Sequence, residues 1–135
     1  MAEARIKIRW RDMDAYGHVN NAVYLNFLEE ARDRLTEELF GAADAWSFVL
    51  AHVGIDFRSE LTQDDGTVTV RCEVTGFGAS SVRTREVVVK DDGTIAAESE
   101  SVLVPRNADG TGSRPLTDRE RDVLQAAADR TADRA

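Results

Sequence analysis

The stretch RIKIRWRDMDAYGHVNNAVYLNFLEEARDRLTEELFG, from Arg5 to Gly41, changes its period partway along, and that change decides the fold. At residues 5–11, Ile6, Ile8 and Trp10 point one way and Arg5, Lys7, Arg9 and Arg11 the other, the alternation of a half-buried strand. From residue 20 to about 40 the apolar positions Tyr24, Phe27, Leu28, Ala31, Leu35 and Leu39 recur at three- and four-residue steps. Glu29, Glu30, Asp33, Arg34, Glu37 and Glu38 fill the remaining face, where a Glu30–Arg34 pair is expected at i,i+4. The spacing predicts an amphipathic helix of about 20 residues, about 30 Å long. Asn20 or Asn21 is suited to cap its start, and Gly41 to stop it.

Downstream the two-residue period returns. Val49, Ala51, Val53, Ile55 and Phe57 alternate with Leu50, His52, Gly54, Asp56 and Arg58. Val68, Val70, Cys72 and Val74 alternate with Thr67, Thr69, Arg71, Glu73 and Thr75. Residues 81–90 end in Val87-Val88-Val89, apolar on both faces, which predicts a strand central in its sheet. Residues 94–104 complete the set. Asp64-Asp65-Gly66 and Asp91-Asp92-Gly93 read as hairpin turns, and short turns between successive strands imply an antiparallel sheet. The order strand, long helix, four strands predicts an α+β fold, a five-stranded antiparallel sheet wrapped around one helix. From Arg106 the composition shifts. Residues 107–113 read as a link, and Thr117-Asp118-Arg119-Glu120 has the spacing of a capping box opening a peripheral helix to roughly Ala132. The domain is therefore expected over residues 1–105, with 106–135 as linker and helical appendage. A single sheet leaves an edge to cover, which favours pairing with a second copy.

A length of 135 residues suits one domain, and 42% apolar residues support a core. With 17 basic and 25 acidic residues the net charge is −8, which argues against a nucleic-acid partner. No apolar run approaches the roughly 18 residues of a membrane helix. The opening Met1-Ala2-Glu3-Ala4-Arg5 lacks a leader's apolar stretch, so a cytoplasmic location is expected. The single cysteine excludes an internal disulfide, and with two histidines it argues against a structural zinc. Cys72 lies on the apolar phase of its strand, so a buried, inert thiol is expected.

The chemistry concentrates in Arg11-Asp12-Met13-Asp14-Ala15-Tyr16-Gly17-His18-Val19-Asn20-Asn21-Ala22-Val23-Tyr24. Two carboxylates, an imidazole, phenols and two carboxamides precede a helix start, where unpaired backbone N–H groups favour negative charge. Such donors can hold an oxyanion while a carboxylate acts as nucleophile or general base, a pairing suited to acyl transfer to water. Singly, each residue has a plainer role: Asp12 and Asp14 as turn residues, Asn20 and Asn21 as caps, Tyr16 and Tyr24 as core aromatics. Their concentration at one helix start favours chemistry.

The run Asp-x-Asp-x-x-Gly-His-Val-Asn-Asn-x-x-Tyr, from Asp12 to Tyr24, resembles the signature of hotdog-fold thioesterases of the 4-hydroxybenzoyl-CoA thioesterase type. The resemblance covers about residues 5–105 and agrees with the order of elements. It implies a hotdog fold and hydrolysis of acyl-CoA or acyl-carrier-protein thioesters. It also implies a homodimer, sometimes a homotetramer, with sites between subunits. No cofactor or metal is called for, since coenzyme A is part of the substrate. The family's catalytic Asp falls on Asp14, with its carbonyl-polarising backbone N–H near Asn21 and His18 beside them. Tyr16, Gly17, Asn20 and Tyr24 are then candidates for substrate contact. The run His18 to Asn21 also resembles plant-type acyl-carrier-protein thioesterases, which have an Asn where this chain has Tyr16. Gly78-Ala79-Ser80-Ser81-Val82-Arg83 is similar to the family's turn along the pantetheine arm, adding Ser80, Ser81 and Arg83.

Coenzyme A carries phosphates, so an acidic protein needs a local basic patch; Arg58, Arg83, Arg85 and Arg106 are candidates. Glu29 and Glu30 resemble the helical Glu of other hotdog enzymes. Competing readings are a hotdog hydratase or dehydratase using Asp14 and His18, a non-catalytic acyl-thioester binding module, and a metal site at Asp12, Asp14 and His18 that lacks the spacing of metal motifs. The same resemblance selects the strand at 48–58 as the dimer edge.

Overall fold

The computed structural model describes residues 1–134. Strand β1 runs Ala2–Lys7, earlier than the alternation suggests, with Ala2, Ala4 and Ile6 buried. Trp10, expected on the buried side with Ile6 and Ile8, is instead 78% exposed. The chain has left the sheet by then: Trp10–Asp12 form one turn of 3-10 helix, and the Asp12 carboxylate accepts the Arg9 N–H at 2.8 Å.

Helix α1 spans Val23–Phe40 and buries Tyr24, Phe27, Leu28, Ala31 and Leu35, the expected stripe. Leu39 is only partly buried, while Arg32, Thr36 and Phe40 are buried beside that stripe. No side chain caps Ala22, the residue at the head of α1; Asn20 Oδ1 accepts the Ala22 N–H at 2.8 Å, one step outside the helix. Gly41 ends α1 at φ +87°, a conformation that other residues resist, and its N–H donates to Glu37 O at 2.8 Å. Arg34 does not pair with Glu30 as i,i+4 spacing suggests; its guanidinium donates to Glu3 O at 3.2 Å.

A short helix α2 (Ala42–Ala45) leads to β2 (Phe48–Phe57), followed by β3 (Thr67–Phe77), β4 (Val82–Lys90), β5 (Ile95–Pro105) and helix α3 (Asp118–Arg134). The sheet is antiparallel throughout in the order β1-β3-β4-β5-β2, so β4 is central, as its two-faced apolar run predicts. Asp91-Asp92-Gly93 closes the β4–β5 hairpin, with Lys90 N–H donating to Thr94 O at 2.8 Å. Asp64-Asp65-Gly66 does not close a hairpin. It joins β2 to β3, which are not neighbours, and residues 58–66 cross one end of the sheet instead. The Asp–Gly chemistry still makes a tight turn there, with Asp65 accepting the Thr62 N–H at 2.8 Å.

α1 packs under β1 and β3, and Cys72 lies buried in that layer. Burial, first of all, pushes the Cys72 thiol well above its usual range. α3 packs against β3 and opens with the anticipated capping box: Thr117 N–H donates to Glu120 at 2.8 Å, and Glu120 N–H to the Thr117 hydroxyl at 3.1 Å. Few apolar groups suffice to seat it, because Leu124 is fully buried and Arg114 grips Glu120 through two bonds of 2.7 and 3.0 Å. β1 and β2 are the edges of the sheet. On β2, Leu50 and Phe57 remain 42% and 48% exposed.

Candidate active site

The end of the sheet where β1 finishes and β3 begins is also where the crossover 58–66 passes. Backbone bonds knit these pieces together: Ile8 N–H donates to Gly66 O (2.8 Å), Val19 N–H to Leu61 O (2.7 Å) and Asn20 N–H to Asp12 O (2.9 Å). The chain between them forms a narrow loop. Asp14 N–H donates to His18 O (3.0 Å) and Gly17 N–H back to Asp14 O (3.1 Å), with Gly17 at φ +84°. Glycine meets that backbone requirement at little cost.

The loop points Asp14 outward. One carboxylate oxygen accepts the Tyr16 N–H at 2.9 Å and the other accepts Asn20 Nδ2 at 3.4 Å. Asp14 therefore has the turn role as well, yet a carboxylate with about four acceptor sites keeps some free. Its side chain is 18% exposed, and His18 Nδ1 lies 3.9 Å away. His18 Nδ1 is also 3.2 Å from Val19 O, an acceptor only, so in that contact Nδ1 carries the hydrogen. Asp14, Tyr16, His18, Asn20, Asn21 and Ala22 line one shallow, open depression. Asn21 is exposed there, at the head of α1, and its backbone N–H has no acceptor among the described residues. Asp14 and Asn21 thus border the same space.

The other candidates divide. Tyr16 is 85% exposed and stacks on His18 with ring centroids 6.0 Å apart. Tyr24 does not line the depression. It is buried edge-on against Phe57 (5.0 Å). Burial, helped by Asp65 and Glu60, pushes that phenol up to about 12. Glu29 and Glu30 are exposed on α1, away from the depression. Ser80 and Ser81 lie past the far end of β3, whose 11 residues span about 36 Å, and Arg83 sits at that same end, on β4 opposite Gly76. One copy of the chain does not bring them to Asp14.

The basic candidates also sort themselves. Arg58 and Arg85 both bind Glu98, at 3.1 and 2.8 Å, and Arg106 donates to Gly110 O. Arg83 forms no ion pair among the described residues and lies over Gly76, where a Cβ would have no room. Asp12, by contrast with Asp14, is closed off. Burial pulls its carboxyl up, but hydrogen bonds and charge from Arg9 outweigh that and hold it below the usual range. Sequence reading did not identify Leu61 and Arg9 as supports of this loop; neither carries a motif, since Leu61 acts through its backbone carbonyl and Arg9 reads as one more charge of an alternating strand. Among the described residues, no three His, Cys, Asp or Glu side chains gather to hold a metal.

The chain belongs to the thioesterase-like superfamily, whose pattern matches residues 8–127. It is 31% identical over 102 residues to the long-chain acyl-CoA thioesterase FadM of Escherichia coli K12, spanning 72% of this chain and 76% of that protein. Among solved structures, a Thermus thermophilus thioesterase complexed with coenzyme A and Zn superposes with a TM-score of 0.83 at 31% identity, covering 95% and 94% of the two chains. The structure of a predicted thioesterase from Bacillus stearothermophilus gives 0.82 at 25% identity, covering 93% and 95%. The five-stranded antiparallel sheet and long helix are the hotdog fold of these relatives.

Proposed function

We propose that this protein hydrolyses acyl-CoA thioesters to the free acid and coenzyme A, using Asp14 as the loop carboxylate of the 4-hydroxybenzoyl-CoA thioesterase type. The observation that carries the reading is the shared depression, where the oriented Asp14 carboxylate and the unpartnered Asn21 N–H meet. As general base, Asp14 takes a proton from water while the water oxygen bonds to the thioester carbonyl carbon. The Asn21 N–H and the positive end of α1 receive the charge that develops on the carbonyl oxygen. Collapse then breaks the C–S bond, and the departing thiolate takes up the proton that Asp14 holds. As nucleophile, Asp14 would instead bond to the carbonyl carbon and expel the coenzyme A thiolate, forming a mixed anhydride that water hydrolyses to the free acid and the restored carboxylate. His18, stacked under Tyr16, borders the carboxylate.

The working unit in this proposal is a cytoplasmic homodimer, or a homotetramer built from it, joined through β2. If β2 pairs antiparallel with its own copy, each sheet runs opposite to its neighbour. The far end of one β3 then falls at the same end of the joined sheet as the other copy's Asp14. On this reading Ser80, Ser81 and Arg83 of a second copy would lie at that end, to receive the pantetheine arm and phosphates. Half-exposed Leu50 and Phe57 on β2 support this edge.

The test is release of free thiol from a panel of acyl-CoA thioesters graded in length and aromaticity. Turnover of any of them that Asp14→Asn abolishes supports the proposal. No thiol release from the panel overturns it, and hydration of an enoyl-CoA without thiol release would favour a hydratase using Asp14 and His18.

A further inference from the structure

Between α1 and the sheet lies a cluster of polar groups that the proposed chemistry does not use. Arg32, on α1, reaches the central strand β4 and donates to Glu86 at 3.0 Å and to the Ser101 hydroxyl at 3.3 Å. Glu86 also accepts from the Ser101 hydroxyl (2.5 Å) and the Thr84 hydroxyl (2.9 Å). The side chains of Arg32 and Glu86 are 5% and 0% exposed. Ser99, on the same face of β5, is buried with its hydroxyl unpaired. Taking both charges out of water is costly, and a well-packed apolar pair of similar volume commonly gives equal or greater stability. Stability alone therefore does not account for the pair.

Its geometry offers a different role. The apolar contacts of α1, made by Phe27, Leu28, Ala31 and Leu35, are non-directional and tolerate a small slide or roll of the helix. The two hydrogen bonds that Arg32 Nη1 donates are tighter, because each weakens with a few tenths of an ångström and with angle. A helix is stiff along its axis, and Arg32 lies nine residues, about 14 Å, beyond Val23 at its start. A slip at Arg32 is therefore delivered undiminished to the head of α1, where no side chain caps Ala22 and where the Asn21 N–H sits. A misplacement of about 1 Å near reacting atoms can lower a rate by roughly 100-fold.

We infer that Arg32 and Glu86 are positioning residues, a buried ion pair that sets the axial register of α1 and so the placement of its N-terminal donor against Asp14. The inference rests on the proposed thioesterase reading, since it presumes that this donor matters. The experiment compares wild type, Asp14→Asn and an apolar variant, Arg32→Leu/Thr84→Val/Glu86→Leu/Ser101→Ala, in the thiol-release assay, with thermal unfolding measured on each; removing the two hydroxyls with the charges strands neither of the donors that Glu86 serves. The apolar variant should melt at or above the wild-type temperature, yet lose about 10-fold in kcat with KM little changed. Wild-type kcat in a folded apolar variant overturns the inference, while loss of kcat and melting temperature together shows an ordinary packing role and overturns it too. If the apolar variant does not fold, Arg32→Lys decides. It keeps the charge but moves the donating nitrogen, and should lower kcat several-fold at unchanged melting temperature; unchanged kcat refutes the idea. Failure of the thioesterase reading looks different: wild type releases no thiol, or Asp14→Asn releases it at the wild-type rate.

Discussion

The turn at Trp10–Asp12 and the turn at Asp14–His18 each hold one carboxylate, and they use its lone pairs differently. Asp12 gives all its contacts to Arg9: the backbone N–H at 2.8 Å and the guanidinium at 3.1 and 3.4 Å. Its side chain is 3% exposed, against 18% for Asp14. Asp14 is held by lighter means, one backbone N–H and one carboxamide, and keeps an open side. The first turn is built to stay as it is. The second orients a base and leaves it accessible. Sequence proximity thus says little about shared role; what matters is which lone pairs remain free.

Exchanging the carboxylates is the direct way to break that contrast. Asp14→Asn should lower turnover by about 10²- to 10⁴-fold, the usual scale for a positioned acid–base group, with little change in melting temperature. An Asp14→Asn protein as active as wild type would erase the distinction. Asp12→Ala should act the other way, costing about 1 kcal/mol of stability by removing the hydrogen bonds to the Arg9 backbone N–H and half-exposed guanidinium while turnover falls far less. Its pH signature follows from sign. Because the folded Asp12 carboxyl lies below its ordinary value of 3.8, its contribution is fully present above that value and is lost as acid carries the pH down through the folded one. Acid unfolding curves of wild type and Asp12→Ala should therefore converge below about pH 3.8; parallel curves would contradict the assignment.

Smaller changes sharpen the comparison. Tyr24→Phe removes one hydroxyl but keeps the edge-on packing against Phe57, so stability in denaturant titration should stay within about 1 kcal/mol of wild type. KM should hardly move, since the ring stays and does not line the depression; a large rise in KM would return Tyr24 to substrate contact. Asn21→Ala should be mildest, with turnover within about threefold of wild type, because the donor there is backbone N–H. A loss comparable to that of Asp14→Asn would mean the carboxamide itself takes part.

Much of this architecture is legible in the residues. The period change between Ile8 and Tyr24, the Gly41 stop, the two-faced run at Val87–Val89 and the capping box at Thr117–Glu120 all rest on local rules, and the molecule follows them. Non-local partners are another matter. Asp64-Asp65-Gly66 makes the tight turn its chemistry suggests, but nothing in it says whether the flanking strands pair, and β2 goes to β5 instead. Arg32 reads as polar in any periodic scheme, since its partner Glu86 stands 54 residues away and only folding joins them. Trp10 keeps the alternation in sequence after the chain has turned off the sheet. At the site, the cluster from Asp14 to Asn21 is visible because it is contiguous. The separation of Ser80, Ser81 and Arg83 from it is a matter of sheet length, which composition does not encode.

The two borders of the sheet differ in what they permit. β1 has six residues and sets Glu3, Arg5 and Lys7 along its solvent side, with Arg5 tied to Asp91 at 2.9 Å and Arg71 to Glu3 at 3.1 Å. Charges and a short run make a poor template for another strand. β2 is ten residues long and has apolar side chains half in water. A molecule with two inviting borders would add copies without limit and grow into a fibre. With one border blunted, self-recognition through the other would consume itself in a single event, and growth would terminate at a closed pair.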